Sequence, residues 1–152
     1  MYRKVLVPLD GSDVAECAFP HVQAIARGCD VVDVVLLRVI GPLPVPGDYV
    51  ISEGDRTRLE SQYRTAAQSY LEKVTKQFAA AGLSVRGDVV EGSAADAIVD
   101  YAGKNDIDLI IMATHGRSGI GRWALGSVAD RVVRHANAPV LLVRASKKAC
   151  PA

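Results

Sequence analysis

Neither sign of charge dominates this chain. Its 152 residues carry 18 lysines and arginines against 17 aspartates and glutamates, a net +1, and the two signs are interspersed from end to end. A nucleic-acid or anionic-membrane binder concentrates a basic excess on one face, so nucleic acid and membrane are set aside as partners. No apolar run approaches the ~18 residues of a membrane span. The opening Val5-Leu6-Val7-Pro8-Leu9 turns polar at Asp10. That is too soon for the apolar stretch of a secretory leader, and the expected compartment is the cytoplasm. Three cysteines, Cys17, Cys29 and Cys150, include no C-x-x-C pair, which argues against a zinc ribbon or a disulfide framework. Cys17 and His21 stand four apart on an expected helix. Two ligands do not make a metal site, so no metal-ligating residues are assigned and the cysteines are read as structural.

There is also no internal repeat and no second composition zone. One domain is therefore expected over residues 1–146, with 147–152 as a short C-terminal tail. The hydrophobic fraction is 49% and the charged fraction 23%, ordinary for a folded domain. A chain of this length buries roughly two-thirds of its surface and needs no metal or disulfide to do so.

Strand and helix signals alternate along it. Val5–Leu9 reads as a buried strand stopped by Asp10-Gly11-Ser12. Ser12 or Asp13 then caps a helix carried by Ala15, Ala18, Phe19, Val22, Ile25 and Ala26 and closed at Gly28, with Pro20 bending it. Val31–Val39 is nearly continuous in hydrophobicity, as a strand covered on both faces should be. Residues 40 to 54 hold Pro42, Pro44 and Pro46 without periodicity, a long connection whose expected role is a lid. A long helix follows, with Leu59, Tyr63, Ala66, Tyr70, Leu71, Val74 and Phe78 on one stripe and Gly82 as its stop. Ser84–Val90 is a third strand, and Ser93 with Asp96 resembles a capping box opening the next helix. Ile107–Met112, a helix over Ser127–Ala136, and the strand Val140–Val143 complete the series. The expectation is an α/β fold: a single-domain, doubly wound, five-stranded parallel sheet, Rossmann-like, in the order 3-2-1-4-5, with helices on both faces.

In such a sheet the ligand crevice lies beyond the carboxyl ends of the strands, where the winding reverses. Asp10 stands there, either accepting hydrogen bonds from a ligand or capping the first helix. After the fourth strand comes Ala113-Thr114-His115-Gly116-Arg117-Ser118-Gly119-Ile120-Gly121-Arg122-Trp123-Ala124-Leu125-Gly126-Ser127. Glycines in a loop that feeds a helix start allow backbone N–H groups to surround an anion. Ser127 either donates to a phosphate or caps the helix. Gly121 and Gly126 have P-loop spacing, but Ser127 stands where the lysine belongs. A phosphate cradle and a plain flexible loop both fit.

The opening Lys4-Val5-Leu6-Val7-Pro8-Leu9-Asp10-Gly11-Ser12, the segment Thr114-His115-Gly116-Arg117-Ser118-Gly119, and Gly126-Ser127-Val128-Ala129-Asp130 through Ala138-Pro139-Val140-Leu141-Leu142-Val143 resemble the universal stress protein family along the whole chain. The family's nucleotide-binding branch carries G-x-x-G, nine residues, then G-S or G-T. Gly116, residues 117 to 125 and Gly126-Ser127 fit, while Ala113 replaces the first glycine. The resemblance implies that Pro8, Asp10 and Val39 line the adenine and ribose end, with Met112 and Ala113 near the ribose and first phosphate. Gly116, Arg117, Gly126, Ser127 and Val128 would hold the phosphates. It further implies ATP, or AMP or ADP, as ligand, Mg2+ accompanying the phosphates, and a homodimer joined through Val140–Val143.

An uncharged edge strand such as Val140-Leu141-Leu142-Val143 is an aggregation hazard unless covered, either by the implied dimer or by the C-terminal tail folding over it. No catalytic residues are assigned: Arg117 and Arg122 could stabilise charge and His115 could act as a base, but no positioned nucleophile is evident. The expected function is therefore a dimeric, ATP-binding regulatory protein of stress response, with weak ATPase activity at most. Its nucleotide occupancy would set a loop conformation that unidentified protein partners read. A nucleotide-independent dimeric module, kept open by Ala113, and a slow hydrolase or phosphotransferase are the alternatives.

Overall fold

The computed structural model describes residues 2–43, 52–114 and 125–145. Its strands are β1 (Lys4–Leu9), β2 (Asp33–Ile40), β3 (Val85–Glu91), β4 (Leu109–Thr114) and β5 (Val140–Arg144). They pair in the order β3-β2-β1-β4-β5, every pairing parallel, which is the expected doubly wound sheet. The helices are α1 (Asp13–Glu16), α2 (Phe19–Gly28), α3 (Glu53–Ala80), α4 (Ala94–Lys104) and α5 (Ser127–His135). None among the described residues is long and apolar enough to cross a membrane.

Side-chain alternation divides the core into two layers. Val5, Val7, Leu36 and Ile111 pack with Val22 of α2 and with Leu71, Val74 and Phe78 of α3. Leu6, Val35, Leu37, Ile110 and Met112 pack with Ile98 of α4 and with Ala129 and Val132 of α5. Coverage on both faces is why β1, β2 and β4 read as nearly continuous apolar runs.

Several boundaries differ from expectation, each for a local reason. The first helix is not continuous. Cys17 and Ala18 bond back to Val14 and Ala15, three residues rather than four, and the chain restarts as α2 with Pro20 in its first turn. Proline lacks an N–H and is tolerated there but not in a helix interior. Cys17 is consequently buried at the end of α1 while His21 is exposed on α2, so the two do not share a helix face. The second strand starts at Asp33, leaving Val32 56% exposed. The third runs from Val85 to Glu91.

The fourth strand is displaced toward the C-terminus by two residues. Asp106 adopts φ +52, Ile107 bonds back to the Ala102 carbonyl, and pairing starts only at Leu109. The helix α3 begins at Glu53, capped by Ser52, inside the stretch expected as loop. On its stripe Ala67 rather than Ala66 is buried, and Tyr63 is half exposed, because only the C-terminal half of α3 lies on the sheet. The capping box at Ser93 does not form. Asp96, shorter than the usual glutamate, instead pairs with Arg131 of α5 at 2.8 Å. Residues 44–51, the tail 147–152 with Cys150, and His115, Gly116, Arg117 and Arg122 lie outside the described residues.

Candidate functional site

The turn after β1 is built around Asp10. Gly11 adopts φ +81, a backbone conformation that L side chains rarely take. This folds the chain so that Asp10 Oδ1 accepts from the Ser12 N–H at 2.9 Å and from its hydroxyl at 2.6 Å. Ser12, not Asp10, caps α1, its oxygen accepting from the Ala15 N–H at 3.2 Å. Partial burial pushes this carboxyl up, but the two bonds from Ser12 and the nearby Arg38 guanidinium outweigh it and hold it below its ordinary value.

The start of α5 forms the opposite wall. Gly126 occupies the N-cap position without a side-chain cap, and Ser127 is the first helical residue. Ser127 therefore does not cap α5, which removes that reading of its hydroxyl. The first helical bond runs from the Asp130 N–H to the Gly126 carbonyl at 2.9 Å. The N–H groups of Ser127, Val128 and Ala129 precede it and have no intrahelical acceptor. The helix dipole adds positive potential at the same place.

Between these walls, at the carboxyl ends of β1, β2 and β4, lies a cavity of about 260 Å³. Of the residues named from the sequence, Pro8, Asp10, Val39, Met112, Ala113, Gly126, Ser127 and Val128 all line it. Gly116 and Arg117 lie outside the described residues. Ala113 sits inside β4, paired with Val143, and is not among the positive-φ residues. Glycine's conformational freedom is thus not required there.

Two polar lining residues, Arg38 and Thr114, were not among the site residues named from the sequence. Arg38 stands within the apolar run of β2 and donates from Nη1 to the Leu9 carbonyl at 3.3 Å. A lone arginine in such a run was the available signal. Thr114 was missed because the fourth strand was expected to end at Met112. Among the described residues no group of three or more His, Cys, Asp or Glu side chains is placed to hold a metal ion.

Fold and site define the class: a doubly wound α/β protein with a small-ligand cavity at the topological switch point of its sheet. A sequence model of the Universal stress protein family matches residues 1–144. Universal stress protein MJ0531 of Methanocaldococcus jannaschii is 36% identical over 148 residues, which span 97% of this chain and 85% of the relative. The solved structure of MJ0577, from the same archaeon, is similar with TM-score 0.78 at 30% identity, over 97% of this chain and 99% of that one. A universal stress protein solved in complex with cAMP gives TM-score 0.70 at 25% identity, over 95% and 98% of the two chains. The protein belongs to the universal stress protein family.

Proposed function

We propose that the protein binds an adenine nucleotide, ATP with Mg2+ foremost, in the cavity between the Asp10 turn and the start of α5. It acts as a dimeric regulatory binder in the cytoplasm, its occupancy setting a loop conformation that partner proteins read. The observation that carries this reading is the gathering of Pro8, Asp10, Val39, Met112, Ala113, Gly126, Ser127 and Val128 around one cavity. The similar universal stress protein solved with cAMP supports the same ligand class. Apolar walls from Leu37, Val39 and Met112 suit a base, and the N–H groups at the start of α5, which lack helical acceptors, suit phosphate. Magnesium would enter on phosphate oxygens and water. Gly116 and Arg117 are proposed to complete the phosphate contacts. A nucleotide-independent module loses its main motive, because Ala113 fits a regular strand.

Calorimetric titration of nucleotide-stripped protein with ATP and magnesium tests this, alongside Gly126→Val. A Cβ built on Gly126 meets nothing within 4 Å and its φ is an ordinary −54°, so the variant is expected to fold and to crowd the start of α5. Wild type is expected to bind in the micromolar range and the variant to lose that binding while remaining folded. A folded wild type without affinity would overturn the reading.

A further inference from the structure

Thr114 is the one buried polar residue among the described residues, 8% exposed at the end of β4. Its Oγ1 is sealed from solvent and has no hydrogen-bond partner among them. Buried hydroxyls are almost always bonded, because leaving one unpaired forfeits its hydration without return. Such an orphan in a native fold calls for a function.

Its position supplies one. Ile110 and Met112 belong to the layer facing α4 and α5. Strand alternation puts Thr114, two residues beyond Met112, on that same face. It lines the cavity together with Gly126, Ser127 and Val128. The α5 start offers N–H donors whose helical acceptors do not exist, and Gly126 cannot cap them. Donors without helical acceptors and a hydroxyl without a partner among the described residues thus border one apolar-walled space. A group made only of acceptors, such as phosphate, satisfies all of them at once. A ribose hydroxyl would satisfy Thr114 but leave the N–H groups wanting.

We propose that Thr114 is a specificity-determining residue that donates its hydroxyl proton to the first phosphate of the nucleotide, selecting nucleotides over nucleosides. The inference rests on the nucleotide reading above. Among the described residues the hydroxyl has no acceptor, and the phosphate is proposed to supply one.

Thr114→Val removes the oxygen and nearly conserves the volume; Thr114→Ser keeps the hydroxyl. AMP and adenosine are titrated into wild type and both variants by calorimetry, and the ligand-free proteins are melted. A lost hydrogen bond to a charged group predicts that Thr114→Val binds AMP roughly tenfold or more weakly. Adenosine affinity should stay within about twofold by the same reasoning, since no phosphate is present. Thr114→Ser should retain AMP binding, and ligand-free Thr114→Val should melt no lower than wild type. Unchanged AMP binding in Thr114→Val, an equal loss of adenosine, or a lower melting temperature would each overturn the proposal, the last by showing the hydroxyl to be structural. If wild type binds AMP and Thr114→Val binds it equally well, only the role of Thr114 fails. If wild type binds neither ligand, the nucleotide reading falls and takes this with it.

Discussion

Asp10 and Asp108 show what a single carboxylate does at each end of the sheet. At the carboxyl ends of the strands Asp10 organises the turn that forms one wall of the cavity. At the opposite end Asp108 Oδ2 accepts from the backbone N–H groups of Arg3 and Lys4, both at 2.9 Å, tying the start of β1 to the approach to β4. Those two bonds hold the Asp108 carboxyl below its ordinary value of 3.8. A carboxylate depressed in the folded state contributes stability above its unfolded pKa, and loses that contribution as pH falls through the folded value. Asp108→Ala should therefore lower stability by about 1 kcal/mol at neutral pH. The gap from wild type should narrow in acid, below about pH 4. Urea midpoints at neutral pH and pH 3 check both statements; an equal gap at the two would refute the ionic part. The place of Gly126 and Ser127 at a helix start beside the cavity was legible in the sequence, because a glycine-rich loop running into a helix marks itself by residue type. Arg38 and Thr114 were not legible, because their importance lies in which partner their polar atoms find or lack after folding.

At the scale of elements, hydrophobic periodicity located the five strands and the helical stretches of the described residues, but ran α1 and α2 together and misplaced the joints. Pro20 ends one helix by lacking an N–H, and the turn at Asp106 delays β4, both decided by hydrogen bonds that periodicity does not register. The delay matters to the site, since it places Met112, Ala113 and Thr114 within the strand and makes their directions alternate. Close approach between elements was equally hidden. A Cβ built on Gly87 of β3 would stand 3.0 Å from Leu71 Cβ and 3.3 Å from its Cδ1. Leu71 is buried at 3% exposure, so it cannot swing away. Gly87→Ala is expected to push β3 off α3 and cost about 1–3 kcal/mol. The urea midpoint should fall with an unchanged slope, because the extent of burial stays the same. A midpoint at or above that of wild type would show that β3 and α3 part without strain.

For the molecule as a whole, the two sheet edges contrast. On β3, Arg86 pairs with Asp33 and Asp88 and bonds the Tyr101 hydroxyl, so this edge carries charge in its middle. On β5, Val140, Leu141 and Leu142 are only half-buried, Val143 is buried, and charge arrives only at the terminal Arg144. Inward or edge charges are how sheets prevent further pairing, and β5 lacks them. The Ala145 N–H bonds inward to the Thr114 carbonyl. Alternation then turns the N–H groups of Val140, Leu142 and Arg144 outward, without a strand partner among the described residues. Two such edges brought together antiparallel would satisfy these groups and cover the apolar row. Sedimentation equilibrium should accordingly return twice the chain mass of 16.2 kDa. Leu142→Lys places a charge in the middle of that edge on both copies and should shift the protein toward monomer, with its circular dichroism unchanged. A wild type that sediments as monomer at every concentration would mean that this edge is covered within its own chain, and the dimeric part of the proposed function would go with it.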